Sequence, residues 1–320
     1  MVKAVKPTSI RMEFEDNGTL AMLTGEHNQN LARLEKALDV SLDSFGNSIT
    51  ISGPAAAVKT ARRTLEDVYR KLGSGGEIPD DGSLISDALR WVAVGDSAAS
   101  PGQGQGVETW RKKIIAKTPG QAAYLELLRK REVVFGLGPA GTGKTYMAVA
   151  KAVESLKKRE IERIVLSRPA VEAGERLGFL PGDMKEKVDP YLRPLYDALY
   201  DMMPADKVER MLVSGEIEIA PLAFMRGRTL SASYVIIDEA QNTTPVQMKM
   251  VLTRLGQDSR MVITGDLSQI DLPDGQPSGL ADAVGRLDQV EGVGIKHMSG
   301  KDVVRHPVVA RILQAYESDS

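Results

Sequence analysis

Residues 138–145 combine three glycines, a lysine and a threonine at a spacing that is suited to binding phosphate groups. They read GPAGTGKT and fit the pattern G-x-x-x-x-G-K-[ST]. Glycine lets the backbone curl, so that successive N–H groups point at phosphate oxygens. We expect Lys144 to reach the β- and γ-phosphates of a nucleotide, and the Thr145 hydroxyl to ligate Mg²⁺. The predicted nucleotide-binding residues are Gly138, Pro139, Ala140, Gly141, Thr142, Gly143, Lys144 and Thr145.

Two carboxylates, Asp238 and Glu239, end an apolar run in the segment YVIIDEA. Asp238 is predicted to hold Mg²⁺ through water, and Glu239 to orient or deprotonate the water that attacks the γ-phosphate. A strand that merely ends in two solvated acids is the alternative. We prefer the catalytic interpretation because the phosphate loop lies upstream in the same chain.

Another apolar run, RMVITG at 260–265, also ends in polar side chains. Thr264, Asp266 and Gln269 could sense the γ-phosphate, because ligands of parallel sheets collect where the strands end. The alternative is an ordinary exit from a strand into a loop.

Two other kinds of candidate have a plain structural alternative. Gln121 starts a predicted helix and could hydrogen-bond an adenine edge, with Tyr124 near enough to stack, although such a glutamine is usually just solvated. Arginines supply charge in phosphoryl transfer and often come from a neighbouring subunit. The arginine candidates, each of which could equally be a surface charge, are Arg168, Arg254 and Arg305.

Short apolar runs separated by helical stretches predict the scaffold that positions these side chains. EVVFGL (132–137), RIVLSR (163–168), YVIIDE (234–239) and RMVITG (260–265) have the composition of buried parallel strands. Their alternation with helices is typical of an α/β fold, a parallel sheet with helices on both faces. The phosphate loop follows the first run and opens a helix, whose positive N-terminal end favours phosphate.

Two segments upstream of this core differ from it in sequence pattern and composition. Residues 8–73 carry strand and helix patterns and predict a small α+β domain. Residues 74–114 are rich in Gly, Pro, Ser and Asp, which predicts a linker with one short helix. Residues 115–320 form the predicted nucleotide-binding domain.

The composition excludes several function classes. Cysteine is absent, which excludes disulfides, thiolate metal sites and cysteine nucleophiles. The net charge of −2 excludes a generally basic nucleic-acid binder, so any such binding must use a local patch. No apolar run approaches the ~18 residues that span a bilayer, and the N-terminal segment lacks an apolar signal region. We therefore expect a cytoplasmic protein with no membrane partner.

Five longer motifs, taken as a set, resemble those of the PhoH-like ATPases: GPAGTGKT, SRPAVEAGERLGFLPGD, IIDEAQN, ITGDLSQID and DVVRHP. The core is also similar to the first RecA-like lobe of superfamily-one helicases, where DEAQ-like and G-D-x-x-Q motifs occur. The resemblance implies a RecA-like P-loop NTPase core that hydrolyses ATP with Mg²⁺. It also implies contact of Gln121 with adenine, a strand-end place for Arg168 at the site, and Arg305 as the arginine finger or sensor.

The length after the phosphate loop leaves room for one RecA-like lobe. Helicases of this superfamily need two lobes to form the nucleotide cleft. The resemblance therefore implies a homo-oligomer, a hexameric ring, in which a neighbouring subunit completes each site.

The N-terminal domain resembles the KH-like module of long PhoH proteins. Gly25-Glu26-His27-Asn28 lies where a KH domain has its G-x-x-G loop, which clamps the nucleic-acid backbone. Here Asn28 replaces the second glycine, and Glu26 adds negative charge where a phosphate would approach. A packing or oligomerisation module is therefore the alternative. A later helix has basic residues that could bind phosphates or be a solvated face: Lys59, Arg62, Arg63, Arg70 and Lys71.

The resemblance implies a role in RNA metabolism, as an ATP-driven remodeller or helicase-like motor that acts on single-stranded RNA. The alternative is an ATP-switched assembly module that recruits a partner such as an endoribonuclease. A small-molecule kinase is disfavoured, because kinases with this loop usually lack an Asp-Glu pair followed by G-D-x-x-Q.

Overall fold

The computed structural model describes residues 8–73, 84–92, 106–169, 184–273, 275–304, 308–309 and 312. The chain divides into two compact units, Met1–Gln105 with Lys117–Pro119, and Gly106–Ala116 with Gly120–Ser320. This division differs from the predicted limits. Lys117–Pro119, expected in the nucleotide-binding domain, are grouped with the first unit, and residues 106–114, expected in the linker, belong to the second. There the backbone N–H groups of Trp110 and Arg111 donate to the carbonyl of Met202 at 3.1 Å.

The first unit is built on a three-stranded antiparallel sheet with strand order β1-β3-β2. Its elements are β1 (Thr8–Glu13), α1 (Asn17–Thr24), α2 (Gln29–Leu38), β2 (Ser41–Phe45), β3 (Ser48–Gly53), α3 (Ala55–Gly73) and α4 (Leu84–Val92). Residues of β1 alternate between half-buried and exposed, as expected of a strand with one face on a core. Helices and strands share that core, which includes Leu23, Leu34, Ile49, Ile51, Leu65 and Val68. The prediction of a small α+β domain is confirmed.

The second unit is an α/β fold around a six-stranded sheet, preceded by an antiparallel pair of short strands, β4 (Val107–Glu108) and β5 (Lys113–Ile114). Its other elements are α5 (Pro119–Lys130), β6 (Val133–Leu137), α6 (Lys144–Lys157), β7 (Arg163–Arg168), α7 (Met184–Met202), α8 (Ala205–Ser214), β8 (Ile217–Pro221), β9 (Ser233–Ile237), α9 (Pro245–Leu252), β10 (Arg260–Gly265), α10 (Gly279–Leu287) and β11 (Val293–His297). Within the described part of the chain, no helix is both long and apolar enough to cross a membrane.

The strand order of the large sheet, β11-β6-β10-β9-β7-β8, decides which loops meet. All its pairings are parallel, and β10 lies between β6 and β9. Val262 of β10 is in register with Val134 of β6 and with Ile236 of β9. The loops after β6, β9 and β10 therefore leave at the same edge of the sheet, as the α/β prediction requires. The predicted α/β class with a parallel sheet is confirmed.

Four of the six strands, β6, β7, β9 and β10, lie where apolar runs predict them. Every residue of β9 is buried, and after Ser233 its sequence is continuously hydrophobic. The sequence pattern does not reveal β8 and β11, which form the two edges of the sheet. Most of their residues are half-buried or exposed, so polar and small residues interrupt the apolar signal in IEIAP and VGIKH.

Candidate nucleotide-binding site

The loop between β6 and α6 is tightly wound and depends on glycine. Gly138, Gly141 and Gly143 have φ angles of 135°, 86° and 81°, which L side chains rarely adopt. A Cβ at Gly138 would also lie 2.2 Å from the carbonyl oxygen of Met298. The backbone N–H of Gly138 donates to the carbonyl of Gly265 at 3.2 Å, which ties the loop to the end of β10.

Lys144 begins α6 and turns its side chain back into this loop. The residue is only 9% exposed, and its Nζ donates to the carbonyl of Pro139 at 2.9 Å. Burial lowers the pKa of Lys144, and the nearby carboxylates of Asp266, Asp238 and Glu239 oppose that shift. A buried ammonium at the N-terminal end of a helix attracts an anion such as a nucleotide phosphate.

Two hydroxyls from different segments converge on Asp238. Thr145 Oγ1 and Thr264 Oγ1 both donate to Asp238 Oδ1 at 2.6 Å. These oxygens suit Mg²⁺, which prefers oxygen ligands and usually takes one or two from the protein beside phosphate and water. Among the described residues, no cluster of three or more His, Asp or Glu side chains could hold a metal by itself. The donor set thus fits an ion shared with a nucleotide.

Glu239 stands beside Asp238 in an unusual backbone conformation, with φ 51° and ψ 38°. Its Oε1 lies 3.0 Å from Nη2 of Arg168, at the end of β7. Its Oε2 accepts a hydrogen bond from Gln241 Nε2 at 2.6 Å. Left-handed backbone at a non-glycine residue is uncommon, and it often accompanies functional sites. Glu239 lines the same cavity as Gly141 and Lys144 of the phosphate loop.

The loop after β10 completes this edge of the sheet. Gln269 Nε2 donates to Asp266 Oδ2 at 2.9 Å, and the same carboxylate accepts from Ser268 through its other oxygen. Asp266 and Gln269 line one cavity with Lys144 and Glu239, and Thr264 contacts Asp238 through its hydroxyl.

A cavity of about 660 Å³ opens between these loops and α7. No sequence motif indicates the α7 wall, which includes Asp197 and Asp201. Tyr146, next to the phosphate loop, donates through its hydroxyl to Asp201 Oδ2 at 2.6 Å, and Lys112 contacts the same carboxylate. Burial by itself would raise the pKa of Asp201, but the hydrogen bonds from Lys112 and Tyr146, together with the charges of Lys112 and Arg111, lower it. The cavity is lined by Ala140, Gly141, Gly143, Lys144, Thr145, Tyr146, Arg168, Pro194, Asp197, Ala198, Asp201, Asp238, Glu239, Gly265, Asp266 and Gln269.

The two adenine candidates differ in what they contact. Gln121 Nε2 donates to the carbonyl of Thr142 at 3.0 Å, so this buried side chain supports the phosphate loop, and its contact with adenine stays a prediction. The expectation that Tyr124 stacks on adenine is wrong. Its side chain is fully buried under β6, where a Cβ on Gly136 would lie 2.7 Å from its hydroxyl oxygen.

The three arginine candidates differ in their position relative to the cavity. Arg168 lines the cavity. Arg254 donates to the carbonyls of Met250 and Arg228, both at 3.1 Å, and does not line the cavity. Arg305 lies outside the described residues. Just before it, the backbone N–H of Val304 donates to the carbonyl of Gly141 at 2.9 Å, so the preceding segment reaches the phosphate loop.

A glycine loop around a buried lysine, with an acidic pair at the same edge of a parallel sheet, defines a P-loop NTPase. The family model for PhoH-like proteins matches residues 113–317. The chain therefore belongs to the PhoH-like family.

Relatives match along most of the chain. A PhoH-like protein of Synechocystis is 56% identical over 92% of this chain and 90% of its own length. One of Bacillus subtilis is 49% identical over 93% and 94%, and protein PhoH of Escherichia coli K12 is 38% identical over 92% and 82%. The solved SWI2/SNF2 ATPase core of Sulfolobus solfataricus, in complex with dsDNA, shares 17% identity over 46% of this chain and 31% of its own, with a TM-score of 0.30. That likeness is too distant to add to what the sheet itself shows.

Proposed function

We propose that this chain hydrolyses ATP in the cavity at the carboxyl edge of its parallel sheet. The observation that carries the proposal is the convergence of Lys144, Asp238 and Glu239 around one cavity that the phosphate loop lines. Lys144 binds the β- and γ-phosphate oxygens and offsets their charge. Thr145 and Asp238 would hold Mg²⁺, which neutralises phosphate charge when bound.

Glu239 orients the attacking water and accepts its proton at a carboxylate oxygen. Gln269 and Asp266 act as γ-phosphate sensors, because they follow the strand next to the phosphate loop. Arg168 already reaches the cavity and can meet the negative charge that develops there. Gln121 contributes to nucleotide binding at the adenine or through the loop that it supports.

We further propose that hydrolysis is coupled to single-stranded RNA, in remodelling or helicase-like unwinding, and that the first unit is KH-like. The support is the exposed turn between α1 and α2, where Gly25, His27 and Asn28 have φ angles of 70°, 51° and 59°. Glu26, His27 and Asn28 are exposed in this turn, so a nucleic-acid backbone could reach it, as a phosphate clamp requires. The basic face of α3 contributes less, because Glu66 and Asp67 pair with several of its cations.

The proposed assembly is a ring of six copies. One RecA-like lobe forms only one wall of a nucleotide cleft, so a neighbouring copy would supply the opposite wall. Arg305 is the proposed arginine finger or sensor, and the segment just before it contacts the phosphate loop through the hydrogen bond from Val304 to Gly141.

Phosphate release from ATP, with and without single-stranded RNA oligonucleotides and at increasing salt, tests the proposal. We expect turnover that RNA stimulates and that salt suppresses, because phosphate contacts are ionic. Light scattering on the same samples should give the mass of a closed oligomer. ATP turnover that RNA never stimulates, with an endoribonuclease captured only in the ATP state, would favour the assembly module instead. Absence of any turnover would refute the ATPase.

A further inference from the structure

A buried amide joins the two strand ends that carry the proposed chemistry. Gln241 lies in the short 3-10 turn Ala240–Asn242 after β9 and is only 1% exposed. Its Nε2 donates to Glu239 Oε2 at 2.6 Å and to the carbonyl of Gln269 at 3.2 Å. Its Oε1 accepts from the backbone N–H of Asp266 at 3.1 Å. One side chain therefore bridges the proposed base and the loop that follows β10.

The surroundings allow this amide little freedom. Both of its N–H donors and one acceptor site are used, so a rotation would leave buried polar groups without partners. The main chain is held as well, because Ser278 Oγ donates to the carbonyl of Gln241 at 2.8 Å. A Cβ on Gly265 would lie 2.7 Å from Gln241 Oε1, so the glycine that ends β10 leaves the space that the amide occupies.

The two oxygens of Glu239 thus have different kinds of partner. Arg168, opposite Oε1, lines the cavity and its side chain is 22% exposed, so a bound nucleotide can displace it. Gln241, opposite Oε2, is enclosed by protein. The enclosed contact is the one that can set the orientation of the carboxylate in every state of the site.

We propose that Gln241 is a positioning residue that holds Glu239 in its catalytic orientation and couples it to the loop 266–269. A displacement of Asp266 or Gln269 on phosphate binding moves the amide and, through it, the carboxylate. This inference rests on the proposed function, because it needs Glu239 to act on water. It assigns Gln241 no contact with the nucleotide.

Steady-state kinetics of Gln241→Leu and Gln241→Asn test the coupling. Leucine removes all three hydrogen bonds at similar size, and asparagine keeps a buried amide that is too short to span the gap. We expect kcat to fall by about 10²-fold, as for a slightly misplaced catalytic group. KM and the affinity for a non-hydrolysable ATP analogue should stay near the wild-type values. Gln257→Leu, an exposed glutamine in the same unit, is the matched control and should leave all three unchanged.

Hydrogen exchange gives a readout that does not depend on turnover. The Asp266 amide should exchange slowly in the wild type and in Gln257→Leu, and faster in both Gln241 variants. Wild-type kcat in a folded Gln241 variant would overturn the proposal, as would a loss of affinity that accounts for the whole kinetic defect. If Gln241→Leu fails to fold, Gln241→Asn decides. If the wild type hydrolyses no ATP, the proposed function fails, and an unchanged Asp266 exchange rate in the variants would separately refute the bridge.

Discussion

Two loops in this molecule turn into a helix through residues of positive φ, and they differ in the side chains that accompany this backbone shape. The loop before α6 uses glycine at each such position. The loop before α2 uses glycine at Gly25 but places His27 and Asn28 at φ 51° and 59°. Lys144 lies buried inside the first loop, whereas Glu26 is exposed in the second.

The difference shows that backbone shape alone does not make a phosphate site. A left-handed residue that is not glycine costs about 1 kcal/mol, so the surrounding structure must hold the loop before α2 in shape, whereas the loop before α6 avoids this cost by using glycine. The loop before α6 gains its chemistry from Lys144 and from the strand ends beside it, which add Asp238 and Gln269. The loop before α2 has no such neighbours in sequence and carries a carboxylate.

We expect the largest loss of activity from a substitution at Glu239, which lies at a strand end beside the loop before α6. Glu239→Gln preserves the shape of the side chain but removes the proton acceptor, so we expect kcat to fall by about 10²–10⁴-fold. Binding of a fluorescent ATP analogue should persist. Phosphate release measures the first quantity and fluorescence titration the second. Glu209→Gln, exposed on α8, is the control, and wild-type turnover by Glu239→Gln would exclude Glu239 as the base.

The next effect lies in the first loop itself. Lys144→Ala removes the buried ammonium, and we expect kcat/KM for ATP to fall by about 10²–10³-fold, as when a transition-state donor is lost. The same assay on Glu26→Ala should show the wild-type value, because that loop has no part in hydrolysis. Lys249→Ala, an exposed lysine on α9, controls for loss of a positive charge. Equal losses of kcat/KM in Lys144→Ala and Glu26→Ala would show that the two loops do not differ in their part in hydrolysis.

A matched pair of glycine-to-alanine substitutions compares how strongly the backbone of each loop depends on glycine. Gly138→Ala meets a backbone carbonyl at 2.2 Å, so we expect the free energy of unfolding to drop by about 3 kcal/mol. Gly25→Ala meets Asn30 Nδ2 at 2.9 Å. This is a side chain, whose displacement would weaken its hydrogen bond to the carbonyl of Leu23, so the drop should be about 1–2 kcal/mol. Urea denaturation measures both. A larger loss at Gly25 would reverse the ranking.

We expect the smallest effect from a charge change in the loop before α2. Glu26→Lys replaces the unfavourable charge of the second loop, so we expect tighter binding of single-stranded RNA. Each additional ion pair with an RNA phosphate should steepen the dependence of log K on log salt by about 0.7. Fluorescence anisotropy across a salt series measures both the affinity and this slope. Asp43→Lys makes the same charge change on β2, and an equal increase in affinity in that variant would show that RNA does not bind at the loop.

Sequence patterns predict those parts of the fold and site that consist of consecutive residues, either buried together in one strand or forming one continuous motif. β9 is buried on both faces, so its residues after Ser233 are all hydrophobic, and the phosphate loop is a continuous motif. Prediction fails where a role depends on neighbours from elsewhere in the chain. Tyr124 has the chemistry to stack on a base, but it packs under Gly136. Asp201 carries no motif, yet α7 brings it to the cavity.

The sequence by itself determined the phosphate loop, its lysine, the acidic pair and the interior strands, because each depends on residues close together along the chain. Only the tertiary structure decided which distant groups meet. Gln241 contacts Asp266, and Asp238 accepts hydrogen bonds from the hydroxyls of Thr145 and Thr264. Both arrangements require β10 to lie between β6 and β9. Strand order results from long-range packing of the whole sheet, and no local pattern of residues specifies it.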